Sequence, residues 1–490
     1  MRASFYLKQR YGLVLSYTGL ILIFGGLVML TPLLTLAVWP SEWVHGSAFL
    51  LPSFLLLLIG TAMWRLFKPS DSLSLTIQDG GVIVVMSWVI VIVCSAWPFL
   101  AVQKLSFTQA AFESVSGWTT TGLSVIDVGA ATHLILLWRS ITQLAGGAGL
   151  AIIMLAAIAG PIGPGLSAAE GRSEQLVPHV RQSAKLVVLI YLGYALAGTF
   201  AYWLAGMTLF DAINHAFAAV STGGFSTQPD SIGHWNSVAI EAVTIGLTIL
   251  GNLNFITAYQ ILQGRFKAVY RNGEVRLMAV LIPLGALILF VFVCGGIFAA
   301  SGKQLRVAIF ATVTALTTTG FSTTGYGNWN AIGFLVLTVL MLIGGGTCST
   351  AGGIKQYRIY LLFRSTLWEL RRFFLPKNAV TENYIWQGDR KDFINDSRIR
   401  QTAVFLYLFL AVYVLGAGTL SAHGYGLRES LFEFASALST VGLSVGVTAA
   451  NAPPLVLWAE ILGMFLGRLE FFVIVVSLVK IGRDIVAVLR

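Results

Sequence analysis

One short segment occurs four times in this chain, each time after an apolar run. The copies are FESVSGWTTTGLSV (112–125), NHAFAAVSTGGFST (214–227), FATVTALTTTGFST (310–323) and FEFASALSTVGLSV (432–445). With Gly122, Gly224, Gly320 and Gly442 in register, Thr119, Ser221, Thr317 and Ser439 stand three places earlier. Thr120, Thr222, Thr318 and Thr440 stand two places earlier, and Ser124, Ser226, Ser322 and Ser444 two places later. Ten places earlier stand Phe112, Phe310 and Phe432, with Asn214 as the exception. Any one such segment reads as a turn. Fourfold recurrence at near-regular spacing reads as a structural unit, and it constrains the fold more than any local feature does.

The surroundings of the repeats are membrane-like. Only 11% of the 490 residues are charged and 56% are hydrophobic, against about 25% charged in soluble domains. That excludes an ordinary soluble enzyme, a disordered regulator and a nucleic-acid-binding domain. Apolar runs long enough for a hydrocarbon core of ~30 Å fall near 11–38, 47–64, 80–102, 134–160, 186–206, 237–262, 277–300, 331–354, 401–420 and 455–479. The first is too long for a cleaved signal peptide and is expected to remain as a span. Of the 31 Lys and Arg residues, only Lys104, Lys303, Arg306 and Arg428 fall on alternate, outer segments, and Arg139 and Arg468 fall within spans. The rest are inside, so both termini are expected to be cytoplasmic. The net charge of +10 then belongs to the inner face and its anionic lipid, not to nucleic acid. Cys94, Cys294 and Cys348 all lie in apolar runs and offer neither a disulfide framework nor a metal spacing.

A helix of about ten residues is too short to cross the bilayer. It can enter from outside and turn back if its non-helical return lies in protein or water. Glycine at one fixed place permits a positive φ or a close approach of neighbouring chains. Four such loops around one axis would form a ring of carbonyl dipoles able to replace the water shell of a monovalent cation. The C-terminal, negative ends of the short helices would point at it. The expected architecture is all-α and polytopic: two leading helices (1–70), then four span–short helix–span repeats over 71–170, 171–265, 266–375 and 376–490.

At these residues the chain resembles the Trk/Ktr/HKT superfamily of potassium transporters, most nearly the membrane subunit of Trk-type bacterial uptake systems. The resemblance covers nearly the whole chain. It implies one pore per subunit with a signature glycine in each loop, here Gly122, Gly224, Gly320 and Gly442. Carbonyl donors for K⁺ would come from Thr119, Thr120 and Thr121; Ser221, Thr222 and Gly223; Thr317, Thr318 and Thr319; and Ser439, Thr440 and Val441. In the plant branch a serine at the first glycine goes with sodium, so Gly122 implies potassium.

A second motif, IGGGTCSTAGGIKQYR (343–358), packs Gly344, Gly345, Gly346, Gly352 and Gly353 around Thr347 near Lys355. Each interior glycine costs a helix ~1 kcal/mol relative to alanine, so the eighth span should break here. The segment fails the Walker pattern. Read from the residues alone it is either a close-packed kink or a moving part. The resemblance implies an intramembrane loop that gates the pore, with Arg468 placed against it. An ion pair with Glu460 or Glu470 is the structural alternative for Arg468, because charge at mid-membrane is costly. Arg139, near a span's outer end, is expected to snorkel. Glu113, Asp127, Asp211, Asp230 and Glu433 are expected at the outer mouth, as capping residues or as attractors of cations. The six histidines lack metal-ligand spacing.

No nucleotide-binding fingerprint is present, so nucleotide control would need a separate subunit. The resemblance implies a cytoplasmic ring with dinucleotide-binding domains docking on a homodimer in the bacterial inner membrane. The basic segments 264–276 and 355–377 are candidate docking surfaces for it or for anionic lipid. The sequence places no paired carboxylates or histidine cluster in the membrane, so no enzymatic activity is expected. Symport of K⁺ with Na⁺ or H⁺ is the alternative to uncoupled flow.

Overall fold

The computed structural model describes residues 2–67, 76–149, 180–376, 381–388, 390–469 and 471–489. The inner end of the 134–160 run, the 70/71 and 170/171 repeat boundaries, Arg172, His179 and Glu470 lie outside the described residues.

The leading pair, Arg2–Leu30 and Ser47–Leu66, packs along a seam of small residues. A Cβ on Gly19 would lie 2.6 Å from the Gly60 carbonyl, and the reverse distance is the same. One heptad along, Ser53 Oγ donates to the Gly26 carbonyl at 2.7 Å. Small residues let backbones approach where lipid gives helices no hydrophobic reason to associate. Two 3₁₀ turns, Thr31–Ala37 and Pro40–His45, each with proline at the first or second position, connect the pair.

Each repeat follows the expected order. Ile77–Ser95 and Trp97–Gln103 lead into the short helix Phe107–Trp118, and the chain returns through His133–Ala148. Val180–Leu204, Leu209–Val220 and Val238–Asn252 make the second repeat. Gly273–Phe292, Ser301–Leu316 and Ala331–Ile343 make the third, and Asp396–Ala422, Leu427–Leu438 and Pro454–Leu469 the fourth. A side chain starts two of the four short helices: Ser106 and Gln109 form a capping box, and the Thr208 hydroxyl accepts from Asp211 N–H.

Two runs read as single spans are sharply bent. Val238–Asn252 meets Phe255–Leu262 at 115°. Asn254 restarts the helix by accepting from Ile256 N–H, while Phe255 N–H leaves the ladder for the Cys348 carbonyl. Pro454–Leu469 meets the last helix at 99°, and that helix docks Lys480 and Asp484 beside Asp79 and Tyr11. The eighth span breaks at Gly344, where the glycines require it, and resumes as Gln356–Arg372. On the same side as that helix, strands β1 (Tyr384–Gln387) and β2 (Arg390–Phe393) form a hairpin. Trp386 lies under Arg271, tying the hairpin to the 264–276 segment.

Candidate functional site

All four short helices end the same way. In the first, Thr121 N–H donates to the Ser116 carbonyl at 2.9 Å and Thr120 N–H to Gly117 at 3.0 Å. The matching pairs are Gly223–Ala218 and Thr222–Ala219, Thr319–Thr314 and Thr318–Ala315, and Val441–Ser436 and Thr440–Ala437. This is the Schellman ending, whose left-handed position glycine usually fills. Here threonine fills it four times, at φ between +51° and +56° (Thr318 and Thr120). A β-branched residue there is strained. The glycine two residues later is also left-handed in every loop, with φ from +74° to +100°.

The glycines show how the loops meet. A Cβ on Gly122 would collide with the Gly223 carbonyl, one on Gly224 with Thr319, one on Gly320 with Val441, and one on Gly442 with Thr121. Loop one touches loop two, two touches three, three touches four, and four closes on one. The four segments therefore form a single ring in chain order. A vestibule of about 230 Å³ opens on one side of it, lined by all four glycines together with Ser124, Ser226, Ser322 and Ser444. Thr119, Thr120, Thr121, Ser221, Thr222, Thr317, Thr318, Thr319, Ser439, Thr440 and Val441 are all buried in the ring.

The ring is held from behind. Glu113 accepts from Ser124 Oγ at 2.7 Å and from the Val125 and Ile126 amides. Glu433 does the same for Ser444, Val445 and Thr448. Both carboxylates are fully buried, so they anchor loops and are not exposed at the mouth. Asp127 caps its turn by accepting from Gly129 N–H, and Asp211 accepts from the hydroxyl of Thr208, the cap of its helix. His215 replaces the glutamate in repeat two and bonds Ser226 at 2.8 Å. Ala311 takes that place in repeat three, where Ser231 of the neighbouring loop supplies the bond to Ser322 N–H. Arg139 does not snorkel. It is 2% exposed and stacks on Phe225. It reaches Glu113 at 3.5 Å, Ser124 at 3.0 Å and the Ser226 carbonyl at 3.1 Å.

The 344–355 loop lies on the ring's opposite side. Gly352 N–H donates to Thr318 Oγ1 at 2.7 Å, and Thr350 bonds Thr222 Oγ1 at 3.1 Å. Gly352 also abuts Thr440 and the Ser439 carbonyl, where a side chain would not fit. Gly344 and Gly353 cross with positive φ, and the Gly345 amide takes the Gly352 carbonyl at 3.1 Å. Gly346 N–H bonds Asn252, Thr347 bonds Glu274, and Lys355 bonds the Ala351 carbonyl. Arg468 donates to the Thr350 carbonyl at 2.6 Å and to Gly146 at 2.7 Å. Glu460, one candidate partner for Arg468, instead meets Thr448.

Sequence reasoning missed three supports. Gln143 bonds the Gly223 carbonyl and the Phe225 amide. Gly146, Gly251 and Gly467 let the second spans approach the last carbonyls of the short helices, those of Trp118, Val220 and Leu438. They recur about 25 residues after the ring glycines of repeats one, two and four, a signal present in the sequence. Thr350 joins the loop to the ring. Among the described residues no group of three or more His, Cys, Asp or Glu side chains could hold a metal ion.

Comparison with known proteins agrees with this geometry. The family model of TrkH, a cation transport protein, matches residues 45–484. The Trk system potassium uptake protein TrkH of Escherichia coli K12 is 30% identical over 471 residues, 93% of this chain and 96% of that protein. An uncharacterized cation transporter of Methanocaldococcus jannaschii is 29% identical over 468 residues, 94% of each chain. The crystal structure of the potassium transporter TrkH from Vibrio parahaemolyticus superposes with a TM-score of 0.83 at 29% identity, covering 96% of this chain and 98% of that one. This chain is a multi-pass membrane protein and belongs to the TrkH family of cation transport proteins.

Proposed function

We propose that the chain takes up K⁺ across the bacterial inner membrane through the four-loop ring. The closed cycle of glycine–carbonyl contacts supports this reading, because four matched loops that meet in a ring can turn their carbonyls to one axis. A hydrated ion enters the 230 Å³ vestibule and exchanges water for carbonyls of 119–122, 221–224, 317–320 and 439–442. Rigid, strained loops favour this exchange, since they need not reorganise around the ion. The relatives named for potassium uptake, and glycine kept in all four loops, favour K⁺ over Na⁺.

The 344–353 loop, with Lys355 and Arg468, is the gate in this reading. Passage needs the Gly352–Thr318 and Thr350–Thr222 bonds to open, at about 0.5–1.5 kcal/mol each. The membrane potential supplies ~2.3 kcal/mol per charge per 100 mV, enough at ~1.36 kcal/mol per decade for an inward gradient of about fifty-fold. No coupled ion is needed. Both termini face the cytoplasm, and a nucleotide-binding ring on a homodimer would act on the gate through the basic segments 264–276 and 355–377. Flux in liposomes tests this. Net K⁺ movement should reverse at the potassium equilibrium potential, and a fixed ratio of H⁺ or Na⁺ to K⁺ would refute uncoupled flow.

A further inference from the structure

Repeats one and four lock their loops with the same residue, a buried glutamate, but neutralise it differently. In repeat one the buried Glu113 has Arg139, 17 residues after the ring glycine. In repeat four the buried Glu433 has Glu460, 18 residues after its glycine and also fully buried. Thr448 stands between the two acids: its amide donates to Glu433 at 2.9 Å, and its hydroxyl lies 3.1 Å from each Glu460 oxygen. Ser444, on the vestibule wall, bonds Glu433 at 2.5 Å. Ser444, Glu433, Thr448 and Glu460 thus follow one another as polar neighbours from the vestibule wall inward.

No cation faces Glu460 among the described residues. The 427–438 helix presents Glu433, while its Arg428 and Glu429 pair at the exposed end. The 107–118 helix carries Glu113, engaged by Arg139. The 396–422 helix contributes Tyr413, bonded to the Leu431 carbonyl, and keeps Asp396, Arg398 and Arg400 at one end and His423 at the other. Lys480 of the last helix is taken by Asp79 and Asp484, and Arg483 lies beyond it. Arg468, on the Pro454–Leu469 helix that carries Glu460, is turned to Thr350 and Gly146. Two adjacent buried carboxylates without a cation do not both ionise.

We propose that Glu460 carries a proton, exchanged with outside water through Thr448, Glu433 and Ser444, and that this proton holds the fourth loop in place. With Glu460 protonated, the acid donates to Thr448 Oγ1 and frees the threonine hydroxyl to turn towards Glu433, so the lock bears one negative charge instead of two. Loss of the proton passes it along that chain to the vestibule, leaving two buried anions beside the loop. The site in repeat one, neutralised by arginine, has no such step.

Only the effect on flux rests on the potassium reading; the proton itself is read without it. Infrared difference spectroscopy of the full-length protein in liposomes should show a protonated-carboxyl band at neutral pH that Glu460→Gln removes. Absence of any such band in the wild-type protein overturns the proposal, whether or not the variant folds and whichever ion is carried. In flux assays, wild-type transport should fall about tenfold per unit of external pH above the midpoint at which the band disappears, the slope of one proton. Glu460→Gln, which keeps the neutral form, should remove that fall. An alkaline limb identical in the wild type and the variant would refute the lock.

Discussion

Replacing Gly442 with alanine tests the ring at the contact that closes it. The residue has φ +100°, and its added Cβ would fall on the Thr121 carbonyl of the first loop. A side chain in left-handed backbone costs about 1–2 kcal/mol, and forcing a methyl into a filled site costs about 1–3 kcal/mol more. Gly446 supplies the control: it has φ +95° but nothing within 4 Å of its Cβ. Gly446→Ala carries only the backbone cost. The two variants therefore differ by about 1–3 kcal/mol, equivalent to roughly five- to 150-fold at ~1.36 kcal/mol per decade, and that difference acts on a carbonyl of the opposite end of the cycle. K⁺ over Na⁺ discrimination, measured by isotope uptake into liposomes, should fall by up to that factor in Gly442→Ala and stay near wild type in Gly446→Ala. Equal discrimination in the two variants would refute the reasoning, because it would mean that the carbonyl under Gly442 has no part in ion choice.

Three further outcomes follow from the supports of the ring. Thr350→Val removes the hydroxyl that bonds Thr222, Val220 and Gly251; at about 0.5–1.5 kcal/mol per bond the loop should open more often, and Cys348, buried here, should react severalfold faster with a thiol reagent in a background lacking Cys94 and Cys294. Arg139→Gln leaves Glu113 a buried charge without its ion-pair partner, a loss of about 3–5 kcal/mol; the unfolding temperature should drop, and adding Glu113→Gln should recover part of it. Glu42, outside the spans, feels burial, which raises its pKa, but bonds from the His133 ring and the Leu134 and His133 amides outweigh this and hold it below the usual glutamate value. A carboxylate lowered in the folded state stabilises at neutral pH and loses that contribution as pH falls through its folded pKa. Acid unfolding should therefore weaken the wild type more than Glu42→Gln, and parallel acid limbs would count against the anchor.

The parts of the fold legible in the sequence are those fixed by local chemistry. Ring glycines and the left-handed threonines before them repeat because each loop needs the same backbone, and the glycine cluster at 344–353 breaks its helix wherever that helix sits. What stayed hidden depends on partners distant in sequence. Arg139 looks like a snorkelling residue until Ser226 and Phe225 arrive from the next repeat. Glu113 and Glu433 look like mouth acids until their loops fold back onto them. The bend at Leu253–Asn254 is invisible to hydropathy because apolar character continues across it, and its cause, the Cys348 carbonyl, lies 93 residues away in the 344–355 loop.

Uptake through the ring requires a dehydrated cation held at its centre, and anomalous diffraction from crystals soaked in Rb⁺ measures this directly. It predicts a single column of anomalous density on the axis enclosed by Gly122, Gly224, Gly320 and Gly442, reduced when Na⁺ replaces Rb⁺. Density absent from that axis, or found only in the vestibule with its water shell intact, would contradict it.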